Sequence, residues 1–235
     1  MPGRKARRGQ RKVSRQGGAG QTPNSKSGWR KSLYQTKAAR SKLVSGGCFL
    51  VRARRVCRRR YDPQMASPRG IVLHPHPVLR AKARPVEKID DFVRGLVDDM
   101  RRVAHELDGI GIAAPQLGES LRIFLTCGRE NDPERVYINP RLELSGTPDL
   151  CDEGCLSLPE IRAEILRPTV VRITAQDIEG REFTLESSEF MGRVWQHEFD
   201  HLEGVLIIDR MRPLDRLANR RAIRDLERSA EGRRR

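Results

Sequence analysis

The chain has 235 residues, 33% of them charged, and a formal net charge of +15 at pH 7. That length allows one domain or two small ones with a sizeable core, and no apolar run approaches the ~20 residues that a membrane-spanning helix requires. The charge is uneven: residues 1–69 hold 20 Lys+Arg against one acid, Asp62, residues 70–209 hold 16 against 26, and residues 210–235 carry ten Arg against four acids. The body is acidic and both ends are basic.

Residues 1–69 mix Arg, Lys, Gly, Ser and Gln without an apolar period, so they bury too little surface to offset the entropy of ordering and are expected to be disordered. Several readings stay open. The stretch resembles an organelle transit leader, a basic arm for RNA or the ribosome surface, a segment upstream of a true start at Met65, or a solvated tail without function. The five cysteines (Cys48, Cys57, Cys127, Cys151, Cys155) are odd in number, form no CxxC pair and follow no apolar leader. A disulfide framework is not expected, and a reducing compartment is.

The folded body opens near residue 70 with a short strand over 71–73 and a turn, His74-Pro75-His76-Pro77, whose histidines read as loop residues because each precedes a proline. Phe92, Leu96, Met100, Val103 and Leu107 then recur at helical spacing over 89–107, with Asp90 or Asp91 near the cap, Gly109 past the end and His105 facing solvent. In Gly109-Ile110-Gly111-Ile112-Ala113-Ala114-Pro115-Gln116 the glycines permit close backbone approach and Gln116 supplies an amide donor. As a nucleotide loop the segment fails, because the third glycine is missing and it follows a helix. Residues 121–127, 136–144, 170–175 and 181–185 read as strands, the last two joined by a hairpin at Asp177-Ile178-Glu179-Gly180. Strands between two patterned helices indicate an α+β domain.

Phe190, Val194, His197 and His201 continue one helical face, with Ser187 and Ser188 as capping candidates and Gly204 as a stop. His197 and His201, four apart, can aim imidazole nitrogens at one point while Glu198 stands beside them as a base. A catalytic site of this kind commonly has three protein ligands and an open position, and Cys155 in Glu153-Gly154-Cys155-Leu156-Ser157 is the third candidate. A last helix begins at Pro213, with Leu214, Leu217, Ala218, Ala222 and Leu226 on one side and arginines elsewhere.

Taken together and in order, the segments 109–116, 153–157 and 196–201 resemble the three signature motifs of the peptide deformylases, over roughly two thirds of the chain. The resemblance implies that Cys155, His197 and His201 hold one divalent metal, most often Fe²⁺, with Zn²⁺, Ni²⁺ or Co²⁺ able to substitute. It implies metal-bound water as nucleophile, Glu198 as general acid/base, and Gln116 with the Leu156 backbone N–H as an oxyanion hole. The backbones of Ile110, Gly111, Glu153 and Gly154 would pair with an extended substrate, Arg162 falls where the family keeps an arginine, and Phe190 and Val194 either line the methionine pocket or pack in the core. The reaction implied is removal of the formyl group from formyl-methionyl nascent peptides, by a ferrous thiolate site open to oxidation.

The expected architecture is α+β, with antiparallel or mixed sheets around a central metal-ligand helix, a long N-terminal helix and a C-terminal helix. It comprises a basic extension over 1–69, a catalytic domain over 70–228 and a basic tail over 229–235. The ribosome surface is a possible partner through the C-terminal helix or the N-terminal arm, and no membrane is involved. The cytoplasm is the expected location, or a mitochondrion or plastid if 1–69 is a transit peptide. Two rival readings are a zincin-like metallopeptidase with Glu227 as downstream ligand, Glu203 and Glu231 being poorer choices, and an RNA-associated binding protein.

Overall fold

The computed structural model describes residues 70–128 and 133–232, so the readings of 1–69 lie outside the described residues. The first long element is helix α1, Asp91–Glu106. Asp90 caps it, its carboxylate accepting the Val93 N–H at 3.1 Å. The buried face is Val93, Leu96, Val97, Met100, Val103 and Ala104, while Phe92 and Leu107 are exposed. The inward stripe is thus shifted from the expected one: Phe92 lies about 100° round the axis from Val93, and the helix turns the face that buries more positions.

Five strands follow: β1 (Gly111–Ala113), β2 (Ile123–Thr126), β3 (Arg135–Cys155), β4 (Leu158–Gln176) and β5 (Glu182–Ser187). They form one sheet in the order β1-β2-β3-β4-β5, each neighbour antiparallel. Among the described residues the mixed alternative is not realised, and parallel pairing is limited to an isolated bridge between Arg84 and Leu121. β3 and β4 run well beyond their apolar patterns because register shifts, among them one between Ser145 and Pro148, absorb Gly146 (φ 79°) and Pro148 instead of ending the ladder. The expected strand at 71–73 does not form. Its Val72 N–H goes to the Gln116 carbonyl at 2.7 Å, and just past it the His74 N–H goes to a separate segment, the Ser157 carbonyl at 3.0 Å. The β4–β5 hairpin turns where expected, with Gly180 at φ 81°.

Helix α2 (Phe190–Leu202) lies against the sheet and is buried on almost every side. Its N-cap is Glu189, without a side-chain cap; Ser187 instead accepts the Glu189 N–H through Oγ at 3.1 Å. The core between α2 and the sheet includes Phe124, Tyr137, Val171, Ile173, Val194 and Trp195, and the Trp195 indole N–H donates to the Tyr137 hydroxyl at 2.9 Å. Gly204 ends the turn after α2 at φ 73°, where a Cβ would stand 2.5 Å from the Arg80 carbonyl oxygen, so space and backbone both demand glycine.

Helix α3 (Ile207–Arg210) leads into α4 (Pro213–Gly232), which continues into the segment expected as a tail. Ala222, Ile223 and Leu226 dock α4 on a cluster of Leu158, Ile161, Ile165 and Ile207, whereas Leu214 and Leu217 are exposed. No helix among the described residues is long and apolar enough to cross a membrane. Cys127 and Cys155 are buried and not disulfide-bonded.

Candidate metal centre

One turn of α2 separates His197 from His201, and their rings lie 5.3 Å apart, centroid to centroid. Cys155, the last residue of β3, completes the group: one donor atom from each of the three lies within 4.8 Å of the others, and all three residues are buried. The Cys155 Sγ is 3.3 Å from His201 Nε2. His197 is oriented from behind, its Nδ1 3.0 Å from Glu153 Oε2, which leaves Nε2 for the cluster. A cysteine sulfur and two imidazoles, buried and with one ring fixed by a carboxylate, suit a single divalent ion.

Glu153 is 0% exposed. Its carboxylate accepts from Arg167 at 2.7 and 2.9 Å and from Arg193 at 3.1 Å. Burial pushes its pKa upward, but the hydrogen bonds from His197 and Arg167 outweigh it and bring the group down to about 2. Arg167 reaches on to Asp200 at 2.8 Å, and Asp200 also holds Arg210 at 2.6 Å. Burial lowers both imidazoles. In His197 the bonds to Cys155 and Glu153 prevail and raise it, while in His201 the positive charges of His197 and Arg167 reinforce the fall.

The cavity beside the cluster is lined by Ile110, Gly111, Gln116, Gly154, Leu156, Val194 and Glu198, with Gly109, Cys155 and His197. Three motifs far apart in the chain thus meet at one point. The Glu198 carboxyl is buried, and its Oε2 has no hydrogen-bond partner. Burial raises its pKa to about 7 against the downward pull of His197 and Arg167, a value suited to moving a proton near neutrality. Gln116 is pinned: its Oε1 accepts the Ala113 N–H at 2.8 Å, so its amide nitrogen faces Ser157 Oγ at 3.3 Å and Cys155 Sγ at 3.7 Å.

Other expected site residues stand apart. Phe190 lines a neighbouring groove with Cys151, Pro168 and Arg193. Arg162 pairs in register with Gly154, and its Nε donates to Asp152 at 2.8 Å. The Glu153 side chain points away from the cavity into the buried ion network. Glu227, the ligand required by the metallopeptidase reading, lies 3.3 Å from His74 Nε2 and outside the metal group, and Glu203 is occupied by Lys82 and Arg122. That reading is therefore overturned for both. Sequence reasoning missed Arg167, Arg193, Asp200 and Arg210. The available signal was Glu153 itself, since a carboxylate among apolar strand residues requires cationic partners.

Fold and site together give an α+β domain with a buried group of one cysteine and two histidines that could hold a divalent metal ion. Residues 68–217 match the family model described as Polypeptide deformylase. Similar proteins include a peptide deformylase of Thermotoga neapolitana, 44% identical over 157 residues that cover 66% of this chain and 94% of that protein. Another is peptide deformylase 1B, chloroplastic/mitochondrial, of Arabidopsis thaliana, 44% identical over 154 residues; the match covers 64% of this chain and 56% of that protein. Among solved structures, a crystal structure of the Arabidopsis thaliana deformylase 1B with an inhibitor superposes with a TM-score of 0.66 at 39% identity, covering 70% of this chain and 93% of that one. A Plasmodium falciparum deformylase complex gives 0.63 at 36%, covering 67% and 99%. The chain belongs to the polypeptide deformylase family.

Proposed function

We propose that this chain hydrolyses the formamide at the N-terminal formyl-methionine of newly synthesised polypeptides, giving formate and a free amino terminus. The observation that supports this most is the convergence of a cysteine sulfur, two imidazoles, a carboxyl oxygen without a partner and a pinned side-chain amide around one cavity. The catalytic unit is residues 70–228.

In this reading Cys155, His197 and His201 hold one divalent ion, Fe²⁺ by the family resemblance, with Zn²⁺, Ni²⁺ and Co²⁺ suited to the same donors. Such an ion supplies Lewis acidity, which polarises a carbonyl and brings the pKa of water toward neutrality. Glu198 takes a proton from the attacking water and passes it to the departing amine. The Gln116 amide and the Leu156 backbone N–H donate to the oxyanion, at about 3–4 kcal/mol for each well-placed donor. Because Ala113 already fixes Gln116, little reorganisation accompanies the reaction. Ile110 and Gly111 on one side and Glu153 and Gly154 on the other offer backbone groups to an extended peptide, with Arg162 across Gly154 and Val194 beneath.

Formate release from formyl-Met-Ala-Ser tests the reading, using protein prepared anaerobically and loaded with Fe²⁺ or Ni²⁺. Release that depends on both the ion and Glu198, judged against Glu198→Ala, is expected; no release from folded, loaded protein refutes it. Arg220, Arg221, Arg224 and Arg228 on the exposed side of α4 suit an anionic ribosome surface. Replacing them with glutamate is expected to weaken ribosome co-sedimentation, and unchanged binding removes that partner. We place the enzyme in the cytoplasm, the organelle alternative holding if residues 1–69 are a transit leader; N-terminal sequencing from its own cells distinguishes the two.

A further inference from the structure

Gly111 lies within β1 and has no left-handed φ, so its backbone would accept alanine. Space does not. A Cβ at this position would stand 2.6 Å from Glu198 Oε1, 2.9 Å from its Cγ and 3.0 Å from its Cδ. Favourable carbon contacts lie at about 3.5–4.0 Å, so the carboxyl would have to move by several tenths of an ångström or more. The other cavity glycines differ: a Cβ on Gly109 would meet the Leu156 side-chain tip at 3.0 Å, and one on Gly154 the Arg162 guanidinium at 3.1 Å. Glu198 is 4% exposed on a helix buried on nearly all sides, so the direction left for its carboxyl to yield is the cavity it lines, away from its present seat.

We infer that Gly111 is a positioning residue for Glu198, its missing side chain being the seat in which the carboxyl rests beside the metal ligands. This rests on the acid/base role proposed for Glu198, and it differs from a role for Gly111 in docking peptide through its backbone. A docking defect raises KM, whereas a displaced carboxyl lowers kcat with substrate binding retained.

The test is a double-mutant cycle on nickel-loaded enzyme with Gly111→Ala, Glu198→Ala and the pair, reading kcat and KM on formyl-Met-Ala-Ser, nickel content and Tm. Gly111→Ala is expected to lower kcat about 10- to 100-fold, the loss that attends a shift near 1 Å, with KM and nickel content little changed. Its Tm is expected to fall by roughly 2–8 °C through overpacking. In the Glu198→Ala background both losses shrink sharply, because the group that alanine meets is gone. Equal losses in the two backgrounds, an effect confined to KM, or loss of nickel overturns the inference. Wild-type kcat in Glu198→Ala alone refutes the acid/base role instead, and the Tm cycle still decides whether Gly111 seats the carboxyl.

Discussion

Arg167 is 2% exposed, yet its guanidinium joins two carboxylates, Glu153 behind the ligand His197 and Asp200 on the ligand helix. Replacing it with methionine fills similar volume, strips Glu153 of the cation that holds both its oxygens and leaves Asp200 with Arg210 alone. A loss of about 3–5 kcal/mol in unfolding free energy is expected, the usual result of breaking one side of a buried ion pair. Metal affinity is expected to fall about 10- to 100-fold as His197 loses its fixed support. Urea denaturation measures the first and chelator competition the second; wild-type values in both refute the role. Residues with a local signature, such as His197, Glu198 and His201, were legible because one helical turn sets their relation. Arg167, Arg193, Asp200 and Arg210 were not, since β4, α2 and α3 bring them together across spacings that no periodicity encodes.

The β4–β5 hairpin carries its own pH dependence. At Asp177 desolvation acts upward, but the backbone N–H of Arg181, its guanidinium and the Glu179 N–H outweigh it and lower the pKa below 3.8. A carboxyl depressed by folding contributes stability that is present above its unfolded pKa and is lost as pH falls through the folded value. Asp177→Asn is therefore expected to lower Tm at pH 7, with the difference from wild type shrinking below pH 3.8. A Tm difference unchanged down to pH 2 contradicts this. This turn was legible from Asp177 and Gly180, whose chemistry is local. The face of α1 was less so, because Phe92 and Val93 are adjacent apolar residues and the sheet beneath decides which turns inward. The lengths of β3 and β4 were hidden for a similar reason, since bulges hide the ladder's continuation through Gly146 and Pro148.

For the whole molecule, the proposed ligands Cys155, His197 and His201 join the end of β3 to α2, so an ion held by them and bound only by the folded chain would stabilise it. Chelation of the loaded enzyme is expected to lower Tm, and Cys155→Ala to abolish the difference between loaded and stripped protein. A chelation effect that survives Cys155→Ala places the ion elsewhere. The α+β class was legible because helical and strand periods occupy separate stretches, and the site because its three motifs keep their order. Non-local pairing was not: the expected strand at 71–73 gives its Val72 N–H to Gln116, and just past it His74 goes to Ser157.

The contact between His74, near the beginning of the described residues, and Glu227, in the last helix, is 3.3 Å long. Among the described residues, the segment around His74 and the last helix therefore lie side by side, and the β4–β5 turn at Gly180 is exposed. In engineering terms, residues 74–227 form a ring closed by that contact. A permuted gene of the described body that joins the region before His74 to the end of the last helix through a linker and opens at Gly180 would preserve the order of the three motifs around that ring.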